Sequence, residues 1–211
     1  LISILNNGNY KLLLDKLINK IQVNFDEFKN KINSSDLAVL CLSLFRLKYK
    51  FRTSFLFEEI SKFVQNDIKS SKLEQYHVVS LIKFMRQNHH YNQDFIDSIV
   101  IYIKNNYEKF TFLLCAHFLA FFANLSYYQI DTLKLLVDIH ASKLLKSSTP
   151  IRSKDISRFL WSLAHLNYDL PDEIKPFIIT RLNLLLLDDF KKYPHFLIDS
   201  LKSLVIMGIY E

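Results

Sequence analysis

Between Asp155 and Pro171 the chain reads DISRFLWSLAHLNYDLP. Ile156, Phe159, Leu160, Leu163 and Leu166 recur at helical spacing, behind Asp155 as the expected cap, and Asn167-Tyr168-Asp169 breaks the pattern. Six of its residues, Leu163 to Tyr168 (LAHLNY), have weaker copies along the chain. These are Leu5 to Tyr10, Leu44 to Tyr49, Phe84 to His89, Phe122 to Tyr127 and Leu204 to Ile209. Successive copies start 39, 40, 38, 41 and 41 residues apart. A fixed period of this length is the signature of a repeat array.

Each period holds two helical stretches. One (helix A) ends at the recurring window, over roughly 35–48, 73–89, 109–125, 153–167 and 192–208. The other (helix B) starts three to five residues later, over roughly 10–22, 52–66, 92–105, 128–146 and 171–188. Ser35-Asp36, Asn92, Asp131 and Ser153-Lys154-Asp155 are capping types at the expected starts. Pro171 with Asp172-Glu173 suits a helix opening. Pro176 requires either a start near Lys175 or a bent first turn. The predicted architecture is all-α: one α-solenoid of two-helix repeats of about 38–41 residues spanning 1–211, about five repeats, incomplete at both ends. Residue 1 is Leu rather than Met, so a processed chain or part of a longer one is expected, with protein neighbours at the uncapped ends.

Composition sharpens this. Apolar residues make up 50% of the 211, enough for a sizeable core, while two glycines and four prolines leave little for β-turns or Gly-dependent nucleotide loops. From Phe110 to Tyr128 there are 19 residues without a formal charge, as in a membrane span. The window within that stretch falls on period, so a helix buried between repeats is expected instead. Cys41 and Cys115 lie in apolar helical runs and read as buried thiols. Phosphate-binding, zinc-hydrolase and nucleophile-elbow motifs are absent from the sequence, and His89-His90 are adjacent and diverge rather than chelate. The expectation is a protein without catalysis, metal or cofactor.

What remains is surface. The formal net charge is +6. The helix A positions at window offsets −5, −1 and +2 share a face by their spacing of four and three. They supply Arg46, Lys83, Arg86, Asn124, Arg158 and His165 as base-facing candidates, beside Val39, Ser43, Val79, His117, Phe121 and Ser162. Two basic clusters could hold phosphates: Lys48, Lys50 and Arg52 with Arg46, and Lys143, Lys146, Arg152 and Lys154 with Arg158. The competing reading of each is a solvated helix face or turn.

The stretch FLWSLAHLNYDLPDEI also resembles the degenerate two-helix repeats of FAST-kinase and RAP-domain proteins, the octotricopeptide or heptatricopeptide class. The resemblance rests on Leu160-Trp161-Ser162-Leu163-Ala164, Leu166, Tyr168 and Pro171, with LFRLKY and FANLSY as weaker copies. It implies an organellar RNA-binding protein, mitochondrial or alternatively plastid-type. Its partner would be rRNA or mRNA, in RNA processing, translation or a mitochondrial ribosome. The RAP domain associated with that class is not visible in this sequence. The alternative is a HEAT-like protein-interaction scaffold with Phe121, Tyr127 and Tyr128 as apolar anchors, and no membrane span in either case.

Overall fold

The computed structural model describes residues 8–50, 55–89, 92–146, 151–185 and 189–210. Among them the helices are α1 (Gly8–Val23), α2 (Phe25–Lys29), α3 (Ser34–Arg46), α4 (Phe55–Lys69), α5 (Gln75–Asn88), α6 (Gln93–Asn106), α7 (Phe112–Leu125), α8 (Ile130–Lys146), α9 (Ser153–His165), α10 (Lys175–Leu185), α11 (Asp189–Lys192) and α12 (Pro194–Ile206). Helices α3, α5, α7, α9 and α12 are the A helices, and each packs on the next. Helices α4, α6 and α8 likewise pack in succession, and α3–α4 and α7–α8 join the two layers. The protein is therefore an all-α array of two-helix repeats, as the hydrophobic period predicts.

The recurring window has a structural meaning. Lys48, His89, Ser126, Asn167 and Gly208 have φ of 53°, 52°, 50°, 50° and 74°. At four of these sites the next residue closes a Schellman motif back onto the last helical turn: Tyr49 N–H donates to Leu44 O, Tyr127 to Phe122, Tyr168 to Leu163 and Ile209 to Leu204, at 2.9–3.1 Å. The first and last residues of each window are the two that this bond joins. Both are large and apolar because the motif brings their side chains together: the Phe122 and Tyr127 rings stack at 5.7 Å. Two windows need correction. In the third, His89 is itself the left-handed residue, so the true window starts at Met85, one residue later than the sequence pattern suggests. In the first, Gly8, Asn9 and Tyr10 already belong to α1, and Leu5 to Asn7 lie outside the described residues.

The uncharged stretch becomes α7 with its leading turn. Leu114 through Ala123 are all buried, because α7 has A helices on both sides and α8 beneath it. Phe118 is fully buried, with its ring 5.2 Å from Phe110, which in turn lies 6.3 Å from Tyr102. Each such ring contributes about 1.5–3 kcal/mol by leaving water. No described helix is long and apolar enough to cross a membrane. Cys41 and Cys115 are buried free thiols; burial raises both, Cys115 to about 12.

Polar side chains set the stagger between repeats. Gln87 Nε2 donates to Tyr49 O at 3.0 Å and Asn106 Nδ2 to Ser71 Oγ at 2.7 Å, while within one repeat Ser34 Oγ donates to Asp67 Oδ2 at 2.6 Å and ties α3 to α4. Helix starts match the sequence reading unevenly. Asn92 caps α6 through Phe95 N–H at 2.8 Å. At α3 the cap is Asn33, with Asp36 completing a capping box, rather than Ser35-Asp36 alone. Asp155 does not cap α9 but sits inside its first turn, and Asp131 is a first-turn acid of α8. Near Pro176 the chain makes a 3₁₀ turn, Asp172–Ile174, and α10 starts at Lys175.

Candidate nucleic-acid interface

Counting back from the left-handed residue of each A helix fixes which side chains share a face. Positions two, six and nine before it are spaced four and three apart and so lie on one face. They are Arg46, Leu42 and Val39 on α3; Gln87, Lys83 and Ser80 on α5; Asn124, Ala120 and His117 on α7; His165, Trp161 and Arg158 on α9; and Ile206, Lys202 and Asp199 on α12. The sequence-based stripe placed Phe121 and Ser162 on this face, but both are fully buried. The reason is a one-residue error in offset: on α9 the row runs through half-buried Trp161 and not Ser162, and towards the middle of the array its members Ser80 and Ala120 are buried too. Lys83 belongs to it because the α5 window starts one residue late.

The central part of this face is positive. Lys83 is half-buried; burial lowers it to about 8, with further lowering by the charges of Arg158, Arg86, Lys154 and Arg46. With Lys83 itself, those cations come from three A helices: Arg46 from α3, Lys83 and Arg86 from α5, and Lys154 and Arg158 from α9. Arg86 is lowered in the same direction by burial and by Arg158. Arg158 is lowered by burial and held up by Asp155, to which its Nη1 donates at 3.0 Å. Asp155 is itself 3% exposed and also accepts from Arg152 Nε at 2.7 Å, so this carboxylate is occupied at both oxygens. The fixed surplus of positive charge in a half-buried setting suits an incoming anion.

The remaining candidates divide by location. Asn124 Nδ2 donates to Ala120 O at 2.7 Å, which turns that amide back on its own helix. His165 is exposed and stacks on Trp161 at 5.1 Å and 20°. Lys48 and Lys50 are exposed at the turn after α3, and Arg52 lies outside the described residues. Lys143 and Lys146 are exposed on the last turn of α8, in the B layer. The turn after an A helix and the end of a B helix lie on opposite edges of an antiparallel hairpin, so these two lysine pairs do not form one patch. Of the second basic cluster, Lys154 joins Lys83 and Arg86 electrostatically, and Arg152 is paired with Asp155.

His117 gains most from the structure. It is 8% exposed, its Nδ1 has no hydrogen-bond partner, and burial together with Arg158, Lys83, Arg86 and Lys154 lowers it to about 2. It lines a cavity of about 330 Å³ between α3, α5 and α7, together with Tyr76, Arg46 and Lys83. A second cavity of about 410 Å³ opens between α9 and α12, walled by Trp161, His165 and Lys202. Tyr76, not singled out from the sequence, is 57% exposed at the first cavity. Phe121, expected as an exposed apolar anchor, is core; Tyr127 packs on Phe122, and Tyr128 is 56% exposed. Among the described residues no group of three metal-ligating side chains occurs. No protein-family model matches the chain, and no curated protein matches it.

Proposed function

We propose that this protein is a non-catalytic, RNA-binding helical-repeat protein that uses the outer face of its A layer. The observation that carries the reading is the convergence of Arg46, Lys83, Lys154 and Arg158 from three A helices, α3, α5 and α9, onto one face, with Arg86 beside them. A phosphodiester backbone meets such a row with one charge per nucleotide, and hydrogen-bonding side chains between the cations can address bases. The resemblance of Leu160 to Pro171 to octotricopeptide-type repeats agrees with it. On that resemblance the RNA is organellar, an rRNA or mRNA, and the compartment is the mitochondrion. The role is RNA processing or translation, or a place in the mitochondrial ribosome.

The test is the affinity of the full chain for single-stranded RNA at low salt, with Arg46→Glu and Lys83→Glu combined. A matched control reverses Lys104 and Lys134, which are exposed on the B helices α6 and α8. The A-face pair should weaken binding strongly and the B-layer pair little. Equal effects of the two pairs would reduce the charge to an unspecific background.

A protein-contact role has separate support at α12. Ile198 and Leu201 are each 50% exposed and Val205 is 55% exposed. The positions equivalent to Leu201 are Cys41, Ile82, Leu119 and Leu160, all buried against a neighbouring repeat. A further repeat packed as the other A helices pack, or a protein partner of a ribonucleoprotein assembly, fits this face. Leu201→Lys should abolish any such co-purification without altering RNA affinity.

A further inference from the structure

The cavity between α3, α5 and α7 differs in kind from the cationic surface beside it. Its walls include Leu42, Val79, Leu113 and Leu114, so its interior is largely apolar. Tyr76 stands at it with more than half of its surface exposed, although an aromatic ring of that size gains by burial. Arg46 and Lys83 belong to the same lining. His117 is more than nine-tenths buried and carries a ring nitrogen without a partner. Its imidazole is neutral, because burial and four surrounding cations oppose a further proton. A neutral imidazole offers hydrogen-bonding capacity without charge. A phosphate does not call for that group, but the polar edge of a planar heterocycle does.

We infer that this cavity receives one unstacked nucleobase of a single-stranded RNA, with Tyr76 against the base face, His117 toward its edge, and the flanking phosphates on Arg46 and Lys83. The inference rests on the RNA-binding reading above and specifies where on that face base recognition takes place. A cavity of this size is within the range that encloses small ligands. Stacking on Tyr76 is tolerant of base identity, since every base has a π-face, whereas hydrogen bonding at His117 supplies a preference. The flanking cations would hold the strand in register over the opening. The half-buried cations around Arg86 and Arg158 lie outside the cavity lining and carry backbone only.

Two polyanions separate the contributions: short single-stranded oligouridine or oligoadenosine, and inorganic polyphosphate, which has charge but no bases. Tyr76→Ala should lower RNA affinity about tenfold, the loss of one stacked base, and leave polyphosphate affinity unchanged. His117→Leu, which removes a buried unpartnered polar ring, should change the preference between the two RNA strands and again spare polyphosphate. Lys83→Glu should weaken both polyanions. Because Tyr76 is exposed, its variant retains the fold, which circular dichroism checks. If Tyr76→Ala and His117→Leu bind RNA as the wild type does, or lose RNA and polyphosphate equally, the base pocket is refuted while the RNA-binding reading stands. If the wild-type chain binds no RNA, both are refuted together.

Discussion

Ser126→Gly tests whether the recurring turn limits stability through its backbone. Ser126 ends α7 with φ 50°, and its N–H donates to Ala123 O at 3.1 Å. An L-residue in this conformation costs about 1–2 kcal/mol because its Cβ crowds the following carbonyl. Glycine removes that crowding but loses roughly 0.5–1 kcal/mol more backbone entropy on folding. The net expectation is a gain of about 0.5–1 kcal/mol, or a few degrees in a thermal melt at roughly 2–4 °C per kcal/mol for a chain of this size. Asn167→Gly, one repeat later, should add independently because the two sites share no partner. The reverse change, Gly208→Ala, separates backbone from packing. Gly208 has φ 74° and a Cβ placed there meets nothing within 4 Å, so any loss is conformational alone. It should cost about 1 kcal/mol. Melts followed by circular dichroism give all three. A destabilised Ser126→Gly, or a neutral Gly208→Ala, would refute the argument that these turns are set by left-handed geometry.

Three further expectations concern charge. His140 is buried, stacked on Phe159 at 3.7 Å, and lowered by burial to about 3. The unfolded chain therefore binds a proton that the folded chain does not. Stability is fully present above about pH 6.5 and falls as pH drops toward 3, and His140→Leu should flatten that fall in denaturant titrations. Asp155→Asn should destabilise by about 3 kcal/mol, since the mostly buried Arg158 loses its carboxylate, yet should tighten RNA binding at low salt by adding one net positive charge to the face. Loss of affinity in a folded Asp155→Asn protein would count against the cationic face. Lys83, at about 8 in the free protein, should make RNA affinity fall between pH 7 and 9 as its proton is lost, and Lys83→Arg should remove that dependence. The same shift means that the cost of burying charged Lys83 is relieved, and stability contributed, as pH rises from about 8 to 10.5.

The helical architecture was legible because the windows carry a physical pair. Leu163 and Tyr168, or Phe122 and Tyr127, are the apolar ends of a Schellman motif, and such pairs survive when everything between them varies. The motif's third copy was misplaced by one residue because Phe84 and Met85 are both apolar and only Gly208 among the described turns announces the left-handed position by its identity. Asn167 is a weaker mark, since Asn tolerates this conformation, and Lys48, His89 and Ser126 adopt it without any sequence mark. A separate one-residue error in the middle offset of the stripe puts buried Ser162 and Phe121 on the face in place of Trp161 and Ala120, and Tyr76 lies one further turn back, outside the three offsets used. The convergence of Lys83 with Lys154 and Arg46 lay beyond reach for a different reason. It depends on the stagger between helices from different repeats, set by bonds such as Gln87 to Tyr49 O, which span 38 residues. Grouping cations by adjacency joined Lys143 to Lys154 although they belong to different layers. The sequence places His117 on the stripe at offset −5, but its neutral, unpartnered state comes from burial among those same cations, which spacing does not reveal.

The most direct test of the RNA-binding face is the salt dependence of RNA affinity. For single strands each phosphate contact contributes about −0.7 to the slope of log affinity against log salt. Replacing Arg46, Lys83 and Arg86 with Gln should make the slope shallower by about 2 relative to wild type. Parallel slopes for the two proteins would contradict the account, because these three cations would then hold no phosphates.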